Sequence, residues 1–250
     1  REAKGVAIIK HPDVRRNLLK MKAYVSGMRS FFYWSTQIGE KNEYLADKHD
    51  PLEGAYFDLM TPIIKEYLSK IGHDVCVEGM QVLGGAGYTK DYLAEQYARD
   101  CKICTIYGGT SGIQAQDLVG RKLGAMKGQA FMKLIGDIMA TVAKAKEMDG
   151  LADIAAQVEM VANELAKAAG ALGKKLGAGE LKAAFAHSLP FLHAMGDTIV
   201  AWMLLWRSVT ATEKLAGKCK KKDEVFYNGE IKTAQFFIQT EVPVTVGKLA

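Results

Sequence analysis

The sequence predicts an all-α protein built as a helical bundle. Apolar residues recur every three or four positions along almost every segment, and no convincing run of alternating apolar and polar residues marks a strand. Composition agrees: the 250 residues are 49% hydrophobic and 24% charged, with 25 glycines and only 5 prolines. That is the balance of a globular chain, not of a disordered, collagen-like or disulfide-stapled one.

The first helix is expected from Pro12 to about Lys48, with Leu18, Leu19, Met21, Tyr24, Val25, Met28, Phe31, Phe32, Trp34 and Ile38 on its apolar positions. At 1.5 Å per residue it would be about 50 Å long, a length suited to a bundle. Pro51 interrupts the pattern, and Thr61-Pro62 has the form of an N-cap followed by proline at the first helical position, so a second helix is expected from there to Leu83. Gly84-Gly85-Ala86-Gly87 ends it. A shorter helix over Asp91–Cys101 leads to the turn Tyr107-Gly108-Gly109-Thr110, and Ser111 with Gln114 has capping-box spacing for a helix from about Gly112 to Lys122. Beyond Gly124 alanine and lysine become dense, and helices are expected over Gln129–Glu147, Leu151–Leu176, Leu181–Gly217 and Ile231–Val242. The glycines Gly120, Gly124 and Gly128 mark the best boundary, dividing the chain into 1–125 and an additional helical region, 126–250.

Charge excludes little and suggests little. Lys+Arg 33 against Asp+Glu 28 gives +5, with the signs interspersed. The one dense basic run (Lys218, Lys220, Lys221, Lys222) is followed at once by Asp223 and Glu224, which reads as a solvated helix end and not as a nucleic-acid patch. Cys101 and Cys104 form a single C-x-x-C without a second pair or a nearby histidine, so no metal site is expected and a redox role is disfavoured. The most apolar stretch, Leu189 to Trp206, contains Pro190, His193 and Asp197. An uncompensated aspartate at a bilayer centre costs about 3 kcal/mol, so a buried helix is expected and no membrane span. The sequence opens at Arg1 without a methionine or a signal-peptide pattern, and a processed product or fragment with a cytoplasmic location is expected.

Two glycine-rich joints carry the functional information. They are Gln81-Val82-Leu83-Gly84-Gly85-Ala86-Gly87-Tyr88 and Tyr107-Gly108-Gly109-Thr110-Ser111-Gly112-Ile113-Gln114. Each lies at a helix end, where free N–H groups and the dipole can seat an oxyanion; each would equally serve as a tight turn that needs glycine.

With Arg99-Asp100 and Ile106 between them, the two joints make the run Gln81–Leu123 resemble the C-terminal helical domain of the acyl-CoA dehydrogenase family. The resemblance extends back to His11-Pro12-Asp13-Val14-Arg15-Arg16 and forward to Ile231–Phe237, as in the subgroup with an extra C-terminal helical region. It implies FAD as cofactor, an acyl-CoA substrate, an electron-transfer partner and a homo-oligomer, with no nucleic acid among the partners. It also implies that Gln81 and Gly85 contact FAD, often across a subunit boundary, that Thr110 lies against the flavin nucleotide, and that Tyr107, Gly108 and Gly109 border the substrate. The two joints are expected to come together as one cradle for both ligands.

One position departs from the family pattern. Many members carry, after the tyrosine of the second joint, a glutamate that removes the α-proton; here Gly108 stands there, and no catalytic residue is assigned. Three explanations stay open: a glutamate supplied from a helix before Arg1, a paralogue that has lost catalysis, or a glycine introduced deliberately. Glu78 and Asp100 read as surface charges or structural ion-pair partners. The rival expectation is a non-catalytic helical interaction or oligomerisation module. The isolated chain, lacking the family's N-terminal and β domains, is expected to be inactive alone.

Overall fold

The computed structural model describes residues 5–44, 50–217 and 219–250. Arg1, Lys218 and the expected end of the first helix at Lys48 lie outside these residues. Among the described residues every regular element is helical.

After a 3-10 turn at Ile8–Lys10 comes α1 (Pro12–Tyr44), which buries Ala23, Tyr24, Gly27, Met28, Phe31 and Ser35 along one face. Gly27 allows a close crossing, since a Cβ there would sit 2.6 Å from a methyl of Val200. The aromatic row of α1 splits: Phe31 is fully buried and Trp34 packs against the core, whereas Phe32 and Tyr33 face outward.

The next helix begins eleven residues earlier than the Thr61-Pro62 pair suggests. Asp50 is its N-cap, accepting the N–H of Leu52 at 2.8 Å, and Pro51 opens α2 (Pro51–Ile63). Pro62 lies inside the helix, where it has no N–H to donate to the carbonyl of Asp58. The Thr61 hydroxyl donates to that carbonyl instead, at 2.8 Å. A π turn at Ile64–Leu68 follows, and the chain continues without a break as α3 (Ser69–Leu83). Residues 51–83 therefore form one rod with a local widening, a usual accommodation of an interior proline.

Short helices α4 (Gly85–Tyr88) and α5 (Ala94–Lys102), a 3-10 turn at Ile103–Thr105 and α6 (Ser111–Asp117) complete the first half, α6 running on into a second π turn at Leu118–Lys122. The capping box does not form: Thr110 is the N-cap of α6, and the Gln114 side chain donates to the carbonyl of Gly108 at 3.0 Å. At residues 126–128 the backbone is left-handed three times in succession, through Met126, Lys127 and Gly128. Then follow α7 (Gln129–Lys146), α8 (Ala152–Gly177), α9 (Leu181–Ala186), α10 (Ser188–Ala216), α11 (Lys221–Thr240) and α12 (Val242–Leu249). The expected helix over Leu181–Gly217 is thus divided at His187, and the one expected over Ile231–Val242 starts ten residues earlier, as α11.

The apolar helix α10 is the axis. It is long and apolar enough to cross a membrane by length and composition, yet 83% of its most apolar window is buried inside the bundle. Trp202 packs edge-on against Trp34 of α1 and donates its N–H to Thr141 of α7 at 2.7 Å. Asp197 is buried and fully engaged, by the Tyr67 hydroxyl at 2.6 Å, the Thr245 hydroxyl at 2.9 Å and the Lys248 ammonium at 3.0 Å. Helices from both sides of residues 124–128 share this one core.

Candidate functional site

The first joint starts where α3 stops. Gly84 takes φ +65°, a left-handed value that favours glycine, and turns the chain out of the helix. Gly87 is required for packing, because a Cβ would meet the Met80 carbonyl oxygen at 2.6 Å and Leu83 Cβ at 2.8 Å. Gly85 differs: no atom lies within 4 Å of where its side chain would begin, and both it and Gln81 are exposed. The joint therefore presents open backbone and a carboxamide to the outside.

The second joint is tied down from behind. Lys65 donates its ammonium to the carbonyl of Gly109, and Gln114 donates to the carbonyl of Gly108. Both carbonyls are thus occupied, the one of Gly109 in a half-buried hydrogen bond and the one of Gly108 in an exposed one, while the N–H groups of Gly108 and Gly109 have no hydrogen-bond partner among the described residues. Gly108 and Gly109 have φ of +69° and +100°. At Gly109 the φ of +100° strains any side chain, and a Cβ would also displace the movable Gln114 Nε2 at 2.6 Å; at Gly108 the nearest atom is Lys65 Cε at 3.9 Å. A side chain at residue 108 would fit, at a backbone cost of about 1–2 kcal/mol. Tyr107 is 66% exposed, and the Thr110 hydroxyl makes no capping bond.

Beside this joint is a residue that sequence reasoning missed. Glu66, in the π turn, is 1% exposed, and its Oε1 lies 3.3 Å from Nε2 of His193 on α10. Its Oε2 has no hydrogen-bond partner among the described residues. Burial works to raise this carboxyl, but His193, the nearby Ser111 hydroxyl and the Lys65 charge outweigh it and hold the group below its ordinary value. Ser111 acts by proximity, outside hydrogen-bond geometry. The only advance signal was an acidic residue amid the apolar run Ile63–Leu68. Of the carboxylates considered from sequence, Asp100 is exposed on α5, and Glu78 lines a small cavity beside Lys20 and Tyr24.

The two joints do not meet within one chain. Helix α5 returns antiparallel along the rod: His73 Nδ1 meets the Ala98 carbonyl at 2.9 Å, and Lys65 meets Gly109 farther back. Lys65 marks the second joint and Gln81 the first, about 24 Å apart at 1.5 Å rise per residue. The two joints therefore sit toward opposite ends of the strut that α3 and α5 form. In the joints and between them, Leu83, Tyr88, Tyr92, Leu93, Tyr97, Ile106, Tyr107 and Ile113 are all exposed, and α3 has no fully buried residue.

Two family models match almost the whole chain, one described as acyl-CoA dehydrogenase, C-terminal domain, over residues 1–123, the other as acetyl-CoA dehydrogenase C-terminal like, over residues 134–250. The broad-specificity linear acyl-CoA dehydrogenase of Mycobacterium tuberculosis is 32% identical over 97% of this chain and 41% of its own length. A butyryl-CoA dehydrogenase of Syntrophomonas wolfei is also 32% identical, over 97% of this chain and 40% of its own. The chain thus spans about two fifths of the curated relatives it matches. Among solved structures, an acyl-CoA dehydrogenase complexed with FAD from Bacillus anthracis shares the fold with a TM-score of 0.68 at 18% identity, covering 100% of this chain and 44% of that one. Joints, fold and sequence agree: the chain belongs to the acyl-CoA dehydrogenase family, whose C-terminal helical domains it matches.

Proposed function

We propose that the chain is the C-terminal portion of an FAD-dependent acyl-CoA dehydrogenase that desaturates an acyl-CoA thioester between its α and β carbons, with Gly108 where the family commonly carries its base. The observation behind this reading is the second joint, whose two carbonyls are occupied by Lys65 and Gln114 while two N–H groups are left unpaired on an exposed turn. Donors fixed in this way suit the oxyanion that develops on a thioester carbonyl as the α-proton leaves. Tyr107 would wall the acyl group. Thr110 offers a hydroxyl to the nucleotide, and Gln81 and Gly85 offer a carboxamide and open backbone; the clear space at Gly85 fits a bulky cofactor. FAD, when bound, would accept the hydride from the β-carbon.

The separation of the joints favours a homo-oligomer in which the first joint of one copy completes the nucleotide site of another, with the exposed α3–α5 face buried between copies or under the rest of the protein. Reduced flavin must be reoxidised, so an electron-transfer partner belongs to the same reading. The division near residues 124–128 would then separate the common bundle from its added region. The rival, a helical module that has lost catalysis, draws on Gly108 itself, because general base catalysis supplies about 10² to 10⁴ in rate. Glu66 does not replace it: buried and held by His193, it supports the turn from behind.

The test is the visible spectrum of the full-length protein, titrated with acyl-CoA, beside its Gly108→Glu variant. Flavin bleaching in the unaltered protein would support dehydrogenation with a carboxylate outside the second joint. Bleaching in the variant alone would support the rival. Absence of flavin from both would overturn the proposal. The 250 residues alone are expected to retain no stoichiometric flavin.

A further inference from the structure

We infer that Cys76 and Cys101 are an oxidation site, forming a disulfide between α3 and α5 by exchange with a small-molecule disulfide such as oxidised glutathione. This goes beyond the proposed function and does not depend on it. Their sulfur atoms stand 3.6 Å apart on the two packed helices, and both thiols are free and partly exposed. The C-x-x-C spacing draws attention to Cys101 and Cys104, but the fold turns Cys101 toward Cys76. One turn away the His73–Ala98 hydrogen bond already holds the helices in contact. Closure to the usual bond length of ~2.0 Å asks the two sulfurs to approach by about 1.5 Å, within the range of side-chain rotation.

The exchange balances. The Cys101 thiolate attacks one sulfur of glutathione disulfide, expelling one glutathione thiolate and leaving a mixed disulfide. Cys76 then loses its proton to solvent and attacks the Cys101 sulfur, expelling the second glutathione. The protein gives up two hydrogens as a whole, and the glutathione disulfide becomes two thiols. Burial and the neighbouring thiol push Cys76 up to about 11, which makes it the poorer first nucleophile; once Cys101 is held in the mixed disulfide the thiol's share of that shift is gone, and the second attack is intramolecular. The bond would lie on the α3–α5 strut between the two glycine joints and would fix their spacing covalently.

Tryptic cleavage separates the cysteines cleanly: Cys76 falls on 71–90, Cys101 on 100–102 and Cys104 on 103–121. Full-length protein is incubated with oxidised glutathione, blocked with iodoacetamide, digested without reduction and analysed by mass spectrometry. The expected product is peptide 71–90 linked to 100–102, two hydrogens lighter than their sum and released by dithiothreitol. Cys104→Ser should retain it, and Cys76→Ser or Cys101→Ser should lose it. A Cys101–Cys104 link, a reaction that stops at the glutathione adduct, or alkylation of all four cysteines would overturn the assignment.

Discussion

At the scale of the residue, Glu66 shows what a sequence conceals. Gly108, Tyr107 and Thr110 were legible because they stand in a recognisable run. Glu66 was not, because its partner His193 lies 127 positions away and only folding brings them together. Its folded carboxyl titrates below the ordinary 4.5, so the charged form stabilises the fold above that pH, and this contribution disappears as pH falls through the folded value. Glu66→Gln is therefore expected to cost about 1–2 kcal/mol at pH 7, where a hydrogen bond to a charged partner is lost. The difference from the unaltered protein should shrink at acid pH, as it falls below the ordinary 4.5 and through the folded value. Urea melts at the two pH values would measure both; an equal cost at both would mean the carboxylate charge is irrelevant.

Among the elements, the first joint separates glycines that look alike in the sequence. Gly85 faces open space and Gly87 faces a backbone carbonyl, a distinction set by how the chain folds back over Met80 and not by the Gly-Gly-Ala-Gly pattern. Gly87→Ala is expected to destabilise by about 1–3 kcal/mol, because the clash is with main chain that cannot rotate away. Gly85→Ala should stay within about 0.5 kcal/mol. Thermal melts of the pair would decide. The Thr61-Pro62 pair failed as a helix start for a related reason: helix beginnings are legible from local residue types, but a threonine that covers the carbonyl orphaned by the next residue makes an interior proline tolerable.

For the whole molecule, fold class and the apolar character of α10 followed from periodicity, but what surrounds α10 did not. Asp197 looked like an obstacle to membrane insertion; in the fold it joins the rod, through Tyr67, to α12, through Thr245 and Lys248. Gly196 makes the junction possible, since a Cβ there would lie 2.2 Å from the Tyr67 ring. Gly196→Ala is expected to lower stability by about 3 kcal/mol, the upper end for overpacking, because the buried ring is also held by its hydroxyl. Denaturant unfolding should show a lower midpoint, and an unchanged midpoint would mean that Tyr67 has room to move. Spacing of the joints was equally invisible: a continuous helix over Lys65–Gln81 was expected, but only the fold shows that Lys65 seats the second joint, so that this continuity sets the distance.

That continuity turns the rod into a ruler. Substitutions along it alter individual contacts, but inserting or deleting one residue between Lys65 and Gln81 would displace one joint relative to the other by about 1.5 Å and rotate it by about 100°. The wide turn at Ile64–Leu68 already carries a locally looser winding, so it is the place where a change in length could be absorbed. Homologues should therefore keep its count of residues even where the exposed side chains along it differ.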